Sequence, residues 1–291
     1  MHKSVSPRQV ARAIGVSEST LKRWCDRGLI PMTKTAGGHR RIETRAVLQF
    51  LRESGREIVE PELLGLPVSS GKTDWTLARA TDRILAALIQ GEESAVRQIV
   101  FDLLLADHPV SAVFDDVLTQ ALHSIGDRWS CGEAAIYEER RACGICMRLL
   151  HELRASLADP GPESPVAVGG TLAGDIYTIP VTMAETVLRS AGWKATALGA
   201  NLPVETLLEA LESCTPRLFW ISVSYIHDET AFVTGVNQLL EASQSQGAAL
   251  VIGGRAVTSE VRRRIQYSAF CESFSDLEHF ARSLNPSDRN T

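Results

Sequence analysis

The sequence lacks any uninterrupted apolar run of the ~18 residues or more that a membrane span requires. Its start, Met1-His2-Lys3-Ser4, lacks the apolar core of a secretory signal. Both absences predict a cytoplasmic chain with no membrane partner. A cysteine framework is missing too: Cys25, Cys131, Cys143, Cys146, Cys214 and Cys271 are scattered and read as free thiols. Cys143 and Cys146 have C-x-x-C spacing, but no second cysteine or histidine pair follows to complete a zinc site. Compositional extremes are absent, with 44% hydrophobic and 22% charged residues, so neither a disordered nor a fibrous class is indicated. What remains is a soluble globular chain of 291 residues, long enough for two or three compact units.

The net charge of −5 conceals an asymmetry. Residues 1–56 hold twelve Lys and Arg against four Asp and Glu, leaving eighteen against thirty-one in the rest. A basic head on an acidic body is the electrostatic signature of a nucleic-acid binder whose remainder does something else.

Within the head, Ser6, Pro7 and Gln9 combine an N-cap, a first-turn proline and a capping-box partner, predicting a helix that ends at Gly15. Ser17 caps a second helix, 18–27, on which Leu21 and Trp24 are spaced to face inward. That leaves Ser19, Thr20, Lys22 and Arg23 outside. Two short capped helices about a tight turn form a helix-turn-helix. Its second helix would read base edges with Ser19, Thr20 and Arg23 and grip phosphate with Lys22. Gly37-Gly38 then predicts a hairpin tip, and His39, Arg40 and Arg41 a basic wing on the DNA backbone; a helix over 44–51 closes the unit. The run SPRQVARAIGVSESTLKRWCDRGLIP followed by GGHRRI resembles the head of the MerR family of transcription regulators. That resemblance implies double-stranded promoter DNA as a partner. Such heads are usually followed by a dimerising coiled coil, yet no sustained heptad pattern occurs here, so a homodimer or tetramer must form by other surfaces. Residues 57–74, with Pro61, Pro67 and Ser69-Ser70-Gly71, read as a linker.

Over 75–160 apolar residues recur at helical spacing in segments 75–90, 92–107, 110–128 and 133–158, broken at Gly91, Pro109 and Gly132; a four-helix bundle is expected. From 163 to 286 short apolar runs at 166–170, 195–198, 218–222, 249–252 and 268–270 alternate with helices at 179–191, 204–213, 228–246, 256–265 and 275–284. That alternation predicts a doubly wound, parallel, Rossmann-like sheet. Its ligand crevice would be lined by the loops 171–180, 199–203, 222–228 and 253–256 beyond the strand ends. The fold class is thus multidomain, α and α/β.

Head, bundle and sheet in this order resemble the cobalamin-dependent light-sensing repressors of the MerR class, and the body resembles the cobalamin-binding modules of methionine synthase type. The light sensors' motif of Trp, nine residues and Glu-His appears as Trp129 and, after nine residues, Glu139-Arg140. The resemblance implies that Trp129 covers the upper face of a corrin ring and that Glu139 contacts an upper ligand. Arg140 replaces the family histidine, and Ser130 stands where the light sensors carry a second one. In the sheet, the motif Asp/Glu-x-His-x-x-Gly, whose histidine is the lower axial ligand of cobalt, reads Asp175-Ile176-Tyr177-Thr178-Ile179-Pro180. Ser-x-Leu reads Ser222-Val223-Ser224, and Gly-Gly survives as Gly253-Gly254.

Imidazole is a neutral nitrogen donor suited to late transition metals, whereas a phenol has a pKa near ~10 and must lose a proton to ligate well. Tyr177 can still be an axial ligand of the kind haem iron accepts. Three readings therefore stay open: cobalamin held without a protein axial ligand; another flat tetrapyrrole such as haem or a bilin, with Trp129, Tyr177 and Arg140 supplying stacking and a carboxylate partner; or a scaffold with no ligand. Cys131 can attach a bilin or ligate a metal, or simply fill space. The function expected is a DNA-binding regulator that senses a tetrapyrrole, with a photoreceptor role implied by the resemblance; the alternative is a ligand-independent regulator. An enzymatic corrinoid carrier would need the axial histidine and has no use for the basic head.

Overall fold

The computed structural model describes residues 4–35, 38–56, 58–66, 77–131 and 135–284 and divides into two compact units, 1–158 and 159–291. In the first, α1 (Pro7–Ala13) begins with the predicted capping box: Gln9 N donates to Ser6 Oγ at 3.3 Å, and Ser6 N donates to Gln9 Oε1 at 2.9 Å. Ser17 caps α2 (Glu18–Asp26), and Leu21 is fully buried. Trp24, expected inside, is half-buried; its ring lies 4.9 Å from that of Phe50 and carries the Arg56 guanidinium 4.8 Å above it. Strand β3 (Arg40–Glu43) pairs antiparallel with β1 (Ser4–Val5) and β2 (Thr33–Lys34), which builds the wing. Gly37 of the expected tip lies outside the described residues, whereas Gly38 has the positive φ of +78° that a tight tip requires. Helix α3 (Thr44–Ser54) runs one turn beyond its expected end at 51.

The segment read as a linker departs from that reading over 58–66. Val59 and Glu60 N–H groups donate to Ala13 O at 2.7 and 3.1 Å, and Arg12 pairs with Glu60 at 2.6 Å. Ile58, Leu64 and Leu66 are buried around a 3-10 turn at Pro61–Leu64. Three apolar side chains among prolines show no helical or strand period, which hides an ordered strap inside a loop-like composition. Residues 67–74 lie outside the described residues, as does the predicted break at Gly132.

The bundle follows as α4 (Leu77–Gln90), α5 (Glu93–Leu105), α6 (Val110–Val113), α7 (Gln120–Ser130) and α8 (Ile136–Ser156). The continuous helix expected over 110–128 is instead divided by a π-helical stretch, Phe114–Thr119. There the Asp116 carbonyl accepts from the Thr81 hydroxyl of α4 at 2.8 Å, a partner outside the helical ladder of the kind that accompanies such bulges. Arg97 pairs with Glu152 of α8 and donates to Gly65 O at 2.6 Å, tying the strap to the bundle.

The second unit is the predicted parallel sheet, with strands β4 (Val166–Gly170), β5 (Lys194–Ala197), β6 (Leu218–Ser222), β7 (Ala249–Gly253) and β8 (Ala269–Cys271) in the order β5-β4-β6-β7-β8. Every residue of β6 is buried, as expected for a central strand covered on both faces. Helices α9 (Thr178–Ser190) and α13 (Phe274–Leu284) cover one face, where Trp193 and Trp220 are buried. Helices α10 (Val204–Cys214) and α11 (Glu229–Ser245) cover the other, around Phe219, Ile221 and Leu239. The helix expected over 256–265 shrinks to α12 (Ser259–Arg262), capped by Thr258. Because the chain leaves β4 toward β5 on one side and reaches β6 on the other, the topological switch point falls between β4 and β6, where such sheets bind ligands.

Candidate functional sites

The head presents its basic groups on the surface. Lys22, Arg23, His39 and Arg40 are exposed, and Arg41 is half-buried on β3. Arg40 lies close enough to Cys25, in the last turn of α2, for its charge to oppose the rise in thiol pKa that burial causes there. Ser19 and Thr20 are engaged locally: their hydroxyls lie 2.8 and 2.9 Å from Ser17 Oγ, and Thr20 N donates to the same oxygen at 3.1 Å. Each retains acceptor capacity.

On the bundle, Trp129 lies in the last turn of α7, and its side chain falls outside the described part of the structure. Cys131 is exposed, its N–H donating to Asp127 O at 3.1 Å. Glu139 is half-buried, pairs with Arg140 at 3.6 Å, and accepts a long contact of 3.9 Å from the Cys143 thiol. Arg140 is exposed, whereas its neighbour Arg141 donates to Ile89 O and lies over the Tyr137 ring, joining α8 to the end of α4. The C-x-x-C thiols are chemically quiet: burial pushes Cys143 up and Cys146 up to about 12. Burial likewise raises Cys271 to about 12. At pH 8 a thiol with that pKa is ionised to about one part in ten thousand. Native protein treated with an aromatic disulfide reagent should therefore lose Cys131 and Cys214 within minutes and retain Cys146 and Cys271 until urea is added. Rapid labelling of Cys146 without denaturant would contradict this packing.

The sheet site is the most constructed of the three. Asp175 is 2% exposed, and its carboxylate accepts from three backbone N–H groups: Ser224 at 2.6 Å and Tyr225 at 3.2 Å on Oδ2, and Tyr177 at 3.1 Å on Oδ1. One side chain thereby stitches the β4–α9 loop to the β6–α11 loop across the switch point. Thr171 and Asn201 complete the frame. Thr171 Oγ1 donates to Asp175 O at 2.6 Å and accepts from Asn201 N at 2.8 Å, while Asn201 Oδ1 accepts from Gly174 N at 2.8 Å. Asn201 adopts φ +59°, a left-handed geometry that asparagine tolerates better than most residues. Gly174 has φ +92°, and a Cβ there would sit 2.7 Å from Cβ of His227. Sequence reasoning named these loops but missed Thr171, Asn201 and His227. An Asn just before Leu-Pro, at a strand-to-helix turn, was the available signal for the second of them.

Tyr177 is half exposed and precedes α9 directly, with Pro180 in the helix's first turn, where a missing N–H leaves no hydrogen bond unmade. Ile176 and Tyr225 are exposed beside it, so the rim carries apolar and aromatic faces. Ser222 ends β6, buried and paired with Gly253. Gly254 has φ +129°, and a Cβ there would lie 2.2 Å from Val223 O, so the Gly-Gly pair is required by close backbone approach. Between the two stitched loops, the cavity lined by Asp175, Ser222, Tyr225 and His227 amounts to about 10 Å³, room for roughly one water.

Comparison with known proteins places three domain families along the chain. The family described as a helix-turn-helix domain matches residues 5–55, and two families described as B12 binding domains match 80–154 and 149–278. Among curated relatives, the HTH-type transcriptional repressors CarA and CarH of Myxococcus xanthus are 24% and 25% identical, covering 93% and 90% of this chain and the same shares of their own. Trimethylamine corrinoid protein 1 of Methanosarcina acetivorans is 20% identical over 72% of this chain and 96% of its own. The structure of the Methanosarcina barkeri monomethylamine corrinoid protein superposes with a TM-score of 0.59 at 16% identity, covering 72% of this chain and all of that one, and shares its fold. A corrinoid is a flat ring carrying cobalt. The exposed side chains of Ile176, Tyr177 and Tyr225 offer such a ring apolar and aromatic surface. A lower nitrogen ligand at position 177 does not fit, because a phenol stands there.

Proposed function

We propose that this chain, which joins a helix-turn-helix domain to a two-part B12-binding module, is a transcription regulator of MerR type rather than an enzyme. Its head would bind promoter DNA, and its body would sense a corrin-type ligand resting on the rim of the sheet. The observation that carries this reading is the pairing, in one chain, of an exposed basic winged head with a switch-point site held together by Asp175. Coverage of both repressors over nearly their full length supports it further. Repression, light sensing, assembly as a dimer or tetramer and a cytoplasmic setting belong to the same proposal. Among the described residues no helix is long and apolar enough to cross a membrane.

Ligand and DNA sites couple only if the ligand binds the DNA-competent and incompetent forms with different affinity. The full chain is therefore incubated separately with adenosylcobalamin, haem and biliverdin. Absorption is recorded before and after illumination, and the affinity for an operator selected from random DNA is measured in each state. A retained, shifted corrin band accompanied by a change in operator affinity is the expected result. A band that bleaches or shifts in light would add the photoreceptor role. Binding of haem or biliverdin alone would replace the corrinoid with another flat tetrapyrrole. On the bundle, Trp129, Cys131, Glu139 and Arg140 are proposed contacts of the same class of ligand, read by the loss of band on substitution. Operator binding with no retained band from any of the three would leave the second reading, a ligand-independent regulator, which the substitution of phenol for imidazole at Tyr177 favours.

A further inference from the structure

Within the first unit, α3, the strap, α5 and α8 line a space that neither the DNA-binding surface nor the sheet site uses. Leu48 of α3, Leu64 and Leu66 of the strap and Phe101 of α5 supply its apolar walls, and each is buried. Its volume is about 230 Å³. We infer that it is a second small-molecule site, suited to a compact, uncharged, two-ring aromatic with one hydrogen-bond donor, and that its occupant fastens the head to the bundle. The inference does not depend on the corrinoid reading, because the lining runs from Glu43 to Ser156 and takes nothing from the sheet.

Size, charge and polarity each narrow the ligand. A dry cavity of ~150 Å³ lined by aliphatic and aromatic side chains takes benzene. The larger space here suits a second fused ring, and falls short of the ~300 Å³ or more that drug-sized molecules occupy. The acids on its lining are already matched. Glu43 pairs with Arg45, and Glu152 accepts from both Nε and Nη2 of Arg97. A charged ligand would have to displace one of these partners or enter without a counter-ion, a cost that an uncharged molecule avoids. The polar handle is a hydroxyl. Ser156 Oγ donates to Leu153 O at 2.7 Å, which leaves its lone pairs to accept from a ligand N–H.

The origin of the walls says what an occupant does. On one side the strap hangs from the head: Val59 N and Glu60 N bind Ala13 O, and Arg12 pairs with Glu60. On the other, Arg97 donates to Gly65 O at 2.6 Å while its guanidinium lies 5.5 Å from the centre of the Phe101 ring. Leu48 belongs to the head, Leu64 and Leu66 to the strap, and Phe101 and Ala155 to the bundle. One molecule seated among them adds contact across the whole join, and stabilises the joined arrangement by mass action.

The probe is indole, titrated calorimetrically into the full chain. Indole-3-acetate and tryptamine serve as anionic and cationic comparators, and 1-methylindole as the ring without its donor. The expected result is one molecule of indole bound per chain with Kd below about 1 mM, and either ion weaker by about tenfold or more. Loss of one hydrogen bond should weaken 1-methylindole by about threefold or more. Ala155 is exposed and lines the space, so Ala155→Trp fills it without opening the core. That variant should lose about tenfold in indole affinity while its melting temperature stays within about 2 °C of the parent. Hydrogen exchange over residues 58–66 should slow by about threefold in saturating indole, and stay unchanged in the variant. No binding below about 1 mM, ions bound as well as indole, or indole binding that survives Ala155→Trp would overturn the site. Equal binding of 1-methylindole would overturn the hydroxyl handle, and binding that leaves exchange over 58–66 unchanged would overturn the fastening role.

Discussion

Asp175→Ala is expected to destabilise the sheet unit by about 2–4 kcal/mol and to abolish ligand retention at its rim. The carboxylate is the acceptor for Ser224 N, Tyr225 N and Tyr177 N and lies 2% exposed. Leaving a buried donor without its acceptor costs ~1–3 kcal/mol, and bonds to a charged acceptor stand at the upper end. Tyr177 and Tyr225 are themselves half exposed, so water can recover part of the loss for their N–H groups. That is why the expected figure stays below three full penalties. Asp175→Asn keeps one carbonyl oxygen, which can serve either the Tyr177 side or the Ser224–Tyr225 side but not both, so roughly half the loss is expected. Urea unfolding followed by tryptophan fluorescence reads the effect, since Trp193 and Trp220 are buried in this unit. A loss below about 0.5 kcal/mol for the alanine variant would mean that the loops close without the carboxylate. The geometric reason to expect otherwise is that both loops leave adjacent parallel strands whose shared ladder ends at Gly170 and Ile221, so beyond that pair the carboxylate is what ties one loop to the other.

The same residue shows how far sequence can carry a structural argument here. Asp175 is legible from the sequence as one position of a motif, and alternation of apolar runs with helices yields the sheet, its parallel sense and the loops that gather at its edge. Capping chemistry at Ser6 and Ser17 likewise fixes both head helices to within a residue, because each rests on contacts between near neighbours in the chain. What the pattern does not reveal is how Asp175 spends its oxygens. That depends on Ser224 and Tyr225, about fifty residues away, whose backbone groups carry no sequence signature. Asn201 and His227 escape for the same reason: each matters through a loop that only the sheet order brings near. Ile58, Leu64 and Leu66 escape differently, because a strap with no period cannot be told from a linker until it is seen against α1. The π-helical stretch at Phe114–Thr119 is invisible because its apolar spacing still satisfies a helix.

In the head, sequence and structure agree closely enough to separate affinity from specificity by substitution. Replacing Lys22 and Arg40 together by alanine is expected to weaken operator and random DNA alike. The slope of log affinity against log salt should become shallower by about two, since each phosphate contact removed contributes ~0.9 in B-form DNA. Both side chains are exposed and sit on different elements, α2 and β3, so neither substitution opens the core. Arg41 is half-buried beside them, its strand position paired with Thr33, and a weaker electrostatic effect is expected from its removal. Arg23→Ala should behave otherwise. A bidentate contact to a base edge is worth ~1–3 kcal/mol of discrimination, so operator affinity should fall roughly 10- to 100-fold while random DNA loses only the contribution of one charge. Fluorescence anisotropy on both DNAs at several salt concentrations distinguishes the outcomes. If Arg23→Ala weakened both DNAs equally, Arg23 would be another phosphate anchor, and base reading would pass to Ser19 and Thr20. Their hydroxyls would then have to serve a base while still facing Ser17, which caps the helix they stand on.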